Sequence, residues 1–559
     1  MIEGTQGTRK LLLGNEAIAR GAVEGGVAAI AAYPGTPSTE IGDTLRAEAD
    51  DFEYYMEYSI NEKTALETAI SASQSGLRSM AIMKHVGINV AADSLMSLAR
   101  SGVRGGFVLT VADDPNMWSS QNEQDSRQYA RFVRMPMLTP TSPQEAKEMT
   151  AYAFELSEEL GLPVALRSTT RVSHSRAPVD FDEVPEVDTE GDFEKDPERL
   201  VHIPAHGRQL KPKLLEKIEA ARERMEDLPF TWVEEAGDGE VGVITPGMAY
   251  NYVRESLDWM DVDADLLKLG TPYPLPEAQV RAFLESHDRV LIVEELDPVV
   301  EEAVRVLVQR HDIDVEISGK YDEVVPMPYE LTTERVTKSL VEYFDVDAPF
   351  DFEAQKEAKA AADGNLIGRP PQFCPGCPHE ETFDAIKTVL GDDAIYAGDI
   401  GCYTLGVNKG ALDIQFSMGA GSGFAAGLAQ FNDEPVLATI GDSTFYHTGV
   451  PGLLNAVYND ADTTLVVLDN RTTAMTGQQP NPSTGWDAVE EETDPMPIED
   501  IARAAGAPFV EVVNPYRSDT IEDTIEEAVA TEGTSVVVAR APCVLFNEEY
   551  GQQLEEIET

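Results

Sequence analysis

Cysteine is scarce in this chain: four residues in 559, none before position 374. So few thiols, unevenly spaced along so long a chain, do not make a framework of structural disulfides and favour a metal site. Basic residues are scarce too, with 42 Lys and Arg against 100 Asp and Glu, a formal net charge of −58. A surface of that sign repels nucleic acid and anionic membrane, so neither is expected as a partner. The acids are spread along the whole chain rather than collected in a tail. That is the pattern of a solvated, halophile-like surface suited to concentrated salt. Long apolar runs are missing as well. No segment reaches 18 apolar residues, and the opening MIEGTQGTRKLLLGNEAIARG has three consecutive leucines but no signal-peptide core, so a cytoplasmic protein is expected. What is present is a hydrophobic content of 42%, ample for packed cores, and a length that calls for about three domains.

Apolar β-branched runs alternate with helical patterns, which reads as an α/β fold with parallel sheets. VAAIAAY at 27–33 is a strand ending at PGTPSTE, a turn that opens a helix with Ser38 or Thr39 as its cap. INEKTALETAISASQSG at 60–76 carries Ala, Leu and Ile at helical spacing and stops at glycine. The acidic, proline-bearing DFDEVPEVDTEGDFEKDPERL lacks periodicity and reads as a linker, followed by the helix KPKLLEKIEAARERMEDL. EVGVITPG, LLKLG and RVLIVEE form strands of a second α/β unit that closes near Tyr343. Acidic DFEAQKEAKAAADGN then bridges to a third unit. The boundaries expected are 1–180, a linker and helical excursion at 181–238, 239–345, a linker at 346–369, and 370–559.

In the third unit the strand EPVLATIG ends in Gly441-Asp442-Ser443, the helix GVPGLLNAVYND follows, and the strand TTLVVLDN ends at Asn470. Asp442 and Asn470, 28 residues apart, therefore stand at the carboxyl ends of parallel strands, where open α/β sheets bind ligands. A carboxylate and an amide oxygen are hard ligands suited to Mg²⁺ held with a diphosphate, and a backbone carbonyl at Thr472 is a further candidate. Two ordinary turns are the plain alternative. The cysteines surround this segment: Cys374 and Cys377 in FCPGCPH, Cys402 in GDIGCYTLG and Cys543 in RAPCVLFN. Four thiolates suit an iron–sulfur cluster, a soft S₄ set also suits zinc, and buried free thiols are the least eventful option. A cluster beside an organic cofactor would couple decarboxylation to one-electron transfer.

The GDS…DN spacing resembles the thiamine-diphosphate motif, GDG followed some thirty residues later by NN, with one glycine and one asparagine replaced. CPGCPH, GDIGCYTLG, GDSTFYHTG and DNRTTAMTG, with YPGTPSTE, NEKTALE and MKHVGINVAAD upstream, resemble the 2-oxoacid:ferredoxin oxidoreductases. Within them the match is to alpha subunits that act on indolepyruvate. The likeness spans nearly the whole chain, in the family's order. It implies an α/β protein of three thiamin-diphosphate-fold or transketolase-like domains: pyrimidine-binding (1–180), transketolase C-terminal-like (239–345) and diphosphate-binding (370–559).

The resemblance also implies site residues. Glu62 becomes the carboxylate on the thiamine pyrimidine nitrogen, with Glu67 its near competitor and a solvated helix-start glutamate the plain alternative. Thr36 borders the substrate carboxylate. His379 faces the diphosphate and His447 the thiazolium or substrate, and His85 is a third histidine inside a motif. Gly401, Cys402, Gly441, Ser443 and Thr476 join Asp442, Asn470 and Thr472 around thiamine diphosphate and Mg²⁺. Cys374, Cys377, Cys402 and Cys543 each have a counterpart in a set that holds one [4Fe-4S] cluster. The implied reaction is oxidative decarboxylation of a 2-oxoacid, an aryl pyruvate by resemblance, to the acyl-coenzyme A with electrons passing to ferredoxin. A smaller beta subunit, and a homodimer of alpha within a heterotetramer, are the implied assembly. Relatives often add a ferredoxin-like domain with two cysteine-rich motifs; no C-x-x-C-x-x-C run follows Cys543, so one cluster and another electron exit are expected. The rivals are a non-oxidative thiamine-dependent decarboxylase and a zinc-stabilised, non-catalytic scaffold subunit.

Overall fold

The computed structural model describes residues 1–237 and 239–545, which group into two compact units. The first comprises Met1–Glu57 with Glu62–Leu366; the second comprises Tyr58–Asn61 with the chain from Ile367 onward.

Two α/β sheets and a two-stranded antiparallel pair, Arg9–Leu13 with Arg176–Asp180, build the first unit. Its six-stranded sheet runs in the order Tyr55–Tyr58, Ala29–Ala32, Ser79–Lys84, Phe107–Asp113, Val164–Thr169, Met137–Leu138, and every pairing from Ala29–Ala32 onward is parallel. Ser79–Lys84, Phe107–Asp113 and Val164–Thr169 are buried at every residue, which is why they read as apolar runs rather than alternations. One core gathers Leu66 and Ala69 from helix Glu62–Gln74, Ile88, Ala91, Leu95 and Leu98 from helix His85–Ser101, and Met83, Leu109 and Val111 from the sheet. Helices Gly14–Glu24 and Pro143–Leu160 pack so closely that a Cβ on Gly21 would stand 2.2 Å from the Lys147 carbonyl oxygen. The second sheet runs Glu316–Ser318, Arg289–Ile292, Val241–Pro246, Asp265–Leu269, Trp232–Glu234, with only the last strand antiparallel.

The expected Ser38 cap does not form. Ser38 is already in the αR region (φ −95°, ψ −6°), and its hydroxyl donates back to the Gly35 carbonyl at 2.7 Å, while helix Thr39–Ala47 begins without a side-chain cap. The linker expected at 346–369 contains a helix. Phe352–Asp363 is a helix with no buried residue, capped by Asp351, whose carboxylate accepts from the Glu353 and Ala354 amides. A good cap and an alanine-rich sequence suffice for it. The acidic stretch 181–196 forms no helix or strand.

The second unit is a five-stranded, wholly parallel sheet in the order Ile395–Ala397, Val436–Gly441, Thr463–Asp469, Thr534–Arg540, Phe509–Val513. Apolar clusters cover both faces, one around Phe383 and Val537 and one around Ile440 and Phe445. All five carboxyl ends therefore emerge along one edge, and the loops there carry the candidate site.

Candidate cofactor site at the strand ends

Strand Val436–Gly441 passes straight into helical residues at Asp442, then into a π-turn, Phe445–Gly449, and helix Val450–Tyr458. Gly441 leaves room for the Tyr403 ring, which a Cβ there would meet at 2.4 Å. Asp442 is buried; its carboxylate accepts from the Ser443 amide at 2.7 Å and the Ser483 hydroxyl at 3.1 Å. Among the described residues no Lys or Arg pairs with it. Burial, reinforced by the neighbouring Asp469 carboxylate, pushes Asp442 up to about 7. Asp469 has its own cation, accepting from Arg540 Nε at 2.7 Å. A buried carboxylate without a cation is costly, and a divalent ion would relieve that cost.

Asn470 supplies the second hard oxygen. Its amide nitrogen donates to His379 Nε2 at 3.3 Å, and its Oδ1 receives the Thr472 amide at 3.3 Å. Burial pushes His379 down to about 4, so the imidazole is neutral and its Nε2 is an acceptor. His379 thus sits against Asn470 and fixes which way the amide faces. Thr472 is buried at the turn, and the Thr476 hydroxyl donates to Gln479 Oε1 at 2.7 Å in the same loop. The Gly401 amide donates to Thr404 Oγ1 at 3.3 Å. His447 is buried, with Nδ1 3.0 Å from Thr448 Oγ1, and its carbonyl accepts from Asn61 Nδ2 at 2.9 Å.

The four thiols converge on the same edge. Cys377 is the N-cap of helix Pro378–Leu390, and its amide donates to the Cys374 carbonyl at 3.0 Å. The Cys543 amide donates to the Asn470 carbonyl at 3.2 Å, which ties that cysteine to the Asp-Asn turn. Cys402 is pushed up to about 11 by burial and then by Cys543, Cys377 and Cys374, so all three act on it electrostatically. Cys377 is raised by burial and by Cys374 and Cys543. Among the described residues, no three of these sulfurs lie within 4.8 Å of one another.

In the first unit, Glu62 opens helix Glu62–Gln74 and is buried. A Cβ on Gly87 would stand 2.6 Å from Glu62 Cγ, so that glycine at the start of helix His85–Ser101 makes room for the carboxylate. Glu67 is half-exposed, paired with Lys63 at 2.5 Å and with Ser94 Oγ at 2.6 Å. Thr36 is half-buried and its carbonyl accepts from Ser119 Oγ at 3.0 Å. His85 is buried, 3.4 Å from the Ala112 carbonyl, and burial lowers its pKa.

Sequence reasoning passed over Asp399. Wholly buried, it accepts from the Ile400, Gly419 and Gly421 amides at 2.7, 2.8 and 3.2 Å, and burial pushes it up to about 7 against the pull of His447. The signal was available: Gly398-Asp399 follows strand Ile395–Ala397 as Gly441-Asp442 ends the adjacent one. Ser483 and Arg540 carried no such signal.

Comparison with known proteins follows these regions. Residues 20–226 match the family described as pyruvate flavodoxin/ferredoxin oxidoreductase, thiamine diphosphate-binding, and residues 399–539 match the thiamine pyrophosphate enzyme, C-terminal TPP binding domain. Indolepyruvate oxidoreductase subunit IorA of Thermococcus kodakarensis is 50% identical over 97% of this chain and 86% of its own length. The IorA subunit of Archaeoglobus fulgidus is 46% identical over 98% of this chain and 88% of its own. A solved 2-oxoglutarate:ferredoxin oxidoreductase from Magnetococcus marinus aligns with 60% of this chain and 65% of its own, at 16% identity and a TM-score of 0.48.

Proposed function

The chain belongs to the family of indolepyruvate oxidoreductase subunit IorA, thiamine-diphosphate enzymes that oxidise 2-oxoacids, and from that premise we propose the reaction and its residues. The protein is the catalytic alpha subunit that converts a 2-oxoacid, aryl pyruvates foremost, to the acyl-coenzyme A and delivers electrons to ferredoxin. It works with a smaller beta subunit, as a pair of alpha chains in a heterotetramer. The observation that carries this reading is the strand-end donor set: the buried, cation-free Asp442, the oriented amide of Asn470, and four thiols gathered around the loops that hold them.

When bound, thiamine diphosphate supplies the nucleophilic carbon and electron sink that 2-oxoacid decarboxylation requires. Asp442, Asn470 Oδ1 and the Thr472 carbonyl hold Mg²⁺ and through it the diphosphate. Gly401, Gly441, Ser443 and Thr476 shape that cradle, and His379 keeps the Asn470 oxygen turned toward the ion. Asp399 ties the turn after its own strand to the start of helix Ala420–Leu428 and feels the charge of His447; in this reading His447 meets the substrate. Glu62, rather than exposed Glu67, shares the pyrimidine proton, because a carboxylate in low dielectric holds such a proton firmly. Thr36 offers its hydroxyl to the substrate.

Cys374, Cys377, Cys402 and Cys543 hold one [4Fe-4S] cluster. Zinc on the same four thiolates is the alternative, and iron against zinc content of anaerobically purified protein separates the two. The test is 2-oxoacid- and coenzyme A-dependent viologen reduction by anaerobically purified protein with its beta subunit. Reduction with stoichiometric CO₂ supports the reading. CO₂ with free aldehyde and no reduction replaces it with a non-oxidative decarboxylase, and no turnover at all with tightly bound zinc replaces it with a scaffold subunit.

A further inference from the structure

Lys84 ends strand Ser79–Lys84, whose neighbours in the sheet are Ala29–Ala32 and Phe107–Asp113. Its side chain therefore rises between two loops at the carboxyl ends of those neighbours, Tyr33–Ser38 on one side and Asp114–Ser120 on the other. Gly35 lies against it; a Cβ there would be 3.0 Å from Lys84 Cβ. Ser119 joins the two loops, its hydroxyl donating to the Thr36 carbonyl at 3.0 Å while its own carbonyl accepts the Lys84 ammonium at 2.7 Å.

Lys84 is 8% exposed, and its ammonium uses one of its three donors. Among the described residues it forms no ion pair. Two of the other buried lysines do: Lys147 lies 2.8 Å from Glu24 and 2.5 Å from Asp182, and Lys268 pairs with Glu145, whereas Lys320, like Lys84, donates to a carbonyl, that of Pro326 at 2.8 Å. The nearest counter-charge, Asp114, spends both oxygens on neutral donors: the Ser119 amide at 2.8 Å, Ser120 Oγ at 2.6 Å and Thr170 Oγ1 at 2.7 Å, with Ser119 Oγ at 3.2 Å. Asp114 stays ionised and acts on Lys84 only through space. Burial pushes Lys84 down to about 8 and lowers His85 beside it, so one ammonium with two spare donors is left at neutral pH. In a chain of net charge −58 such a cation is an uncommon place for an anion to settle.

We propose that the Lys84 ammonium receives the carboxylate of the 2-oxoacid. The proposal rests on the functional reading above. Thr36 and Ser119 close the loops around the same anion, and Lys84 supplies the charge that selects an acid over a neutral ketone.

The test uses the complete complex with its beta subunit and the variants Lys84→Gln and Lys84→Arg. Loss of a charge-assisted contact should raise KM for the 2-oxoacid about 10- to 100-fold in Lys84→Gln, with kcat within a few-fold and thiamine diphosphate affinity unchanged. Calorimetric binding of the 2-oxoacid to thiamine-depleted protein should weaken by the same factor. The methyl ester of the acid, which lacks the charge, should bind wild type and Lys84→Gln alike, and Lys84→Arg should recover most of the acid's affinity. An unchanged KM and affinity in Lys84→Gln, or equal losses for acid and ester, overturn the proposal. If Lys84→Gln does not fold, the acid-over-ester preference of wild type and Lys84→Arg decides, and no preference in either overturns it. Wild-type protein that turns over no 2-oxoacid sinks the functional reading instead.

Discussion

If Asp442 holds the metal as proposed, it costs stability in the free protein and provides it in the loaded one. Its carboxylate is buried beside Asp469, with a pKa pushed to about 7 by burial and like charge. Asp442→Ala removes that charge, so the thiamine-free variant should melt no lower than wild type. Thiamine diphosphate with Mg²⁺ at 100 times its Kd should stabilise wild type by about 2.7 kcal/mol by mass action, and that gain should vanish in the variant. A retained ligand-induced rise in Tm would remove Asp442 from the metal site. Glu62→Gln separates proton handling from binding. It should keep cofactor affinity and slow exchange of the thiamine C2 proton by about 10² to 10⁴-fold, read by NMR after acid quench; wild-type exchange would move the role elsewhere. Cys543→Ala should strip or bleach the cluster while thiamine binding persists, because the diphosphate site keeps Asp442 and Asn470. An iron content equal to wild type would make Cys543 an ordinary half-buried thiol.

At the scale of elements, the first unit turns on how closely two helices approach. Gly21 in helix Gly14–Glu24 faces the Lys147 carbonyl of helix Pro143–Leu160. Helix propensity alone favours alanine over glycine by roughly 1 kcal/mol. The added carbon, however, would lie 2.2 Å from backbone oxygen and 2.8 Å from Thr150 Cβ, and backbone cannot swing aside. Overpacking of about 1–3 kcal/mol should win, so Gly21→Ala should lower stability in chemical denaturation; a neutral or stabilised variant would show that the helices can part. The same helix Pro143–Leu160 is capped by Ser142, whose hydroxyl accepts from the Glu145 amide at 3.2 Å, while Glu145 reaches back to the Thr141 amide at 2.7 Å. Ser142→Ala should cost about 1 kcal/mol by the same measurement.

Across the whole molecule, charge and cysteine count set two limits. A net charge of −58 makes the folded protein repel itself. Screening shortens from about 10 Å at 0.1 M salt to about 3 Å at 1 M, so Tm should climb as KCl is raised from millimolar to molar. A flat or falling Tm would deny the acidic surface any adaptation to salt. If the four cysteines hold the proposed cluster, iron should reach about four atoms per chain.

Much of this was legible in the chain. Strand ends at Asp442 and Asn470 follow from apolar runs closed by Gly-Asp and Asp-Asn, because a buried parallel strand must be apolar and its exit must turn. Alternation of such runs with helical patterns determined the α/β class. Tertiary structure decided the rest. Glu62 and its near competitor Glu67 stand on one helix, and their surroundings differ only in the fold: the gap at Gly87 makes room for the buried first, while Lys63 and Ser94 hold the second at the surface. Nothing local places His379 against Asn470, 91 residues away, or brings Cys543 to the thiols at 374 and 377. Ser38, a good cap by type, was turned back on Gly35 by the conformation of its own loop. Lys84 reads as one more lysine until the sheet sets it between two loops and gives Asp114, the carboxylate that acts on it, other donors to serve. Local sequence fixes where a chain turns and what each residue can donate; which donors meet depends on strand order and on small residues that let distant backbone come close.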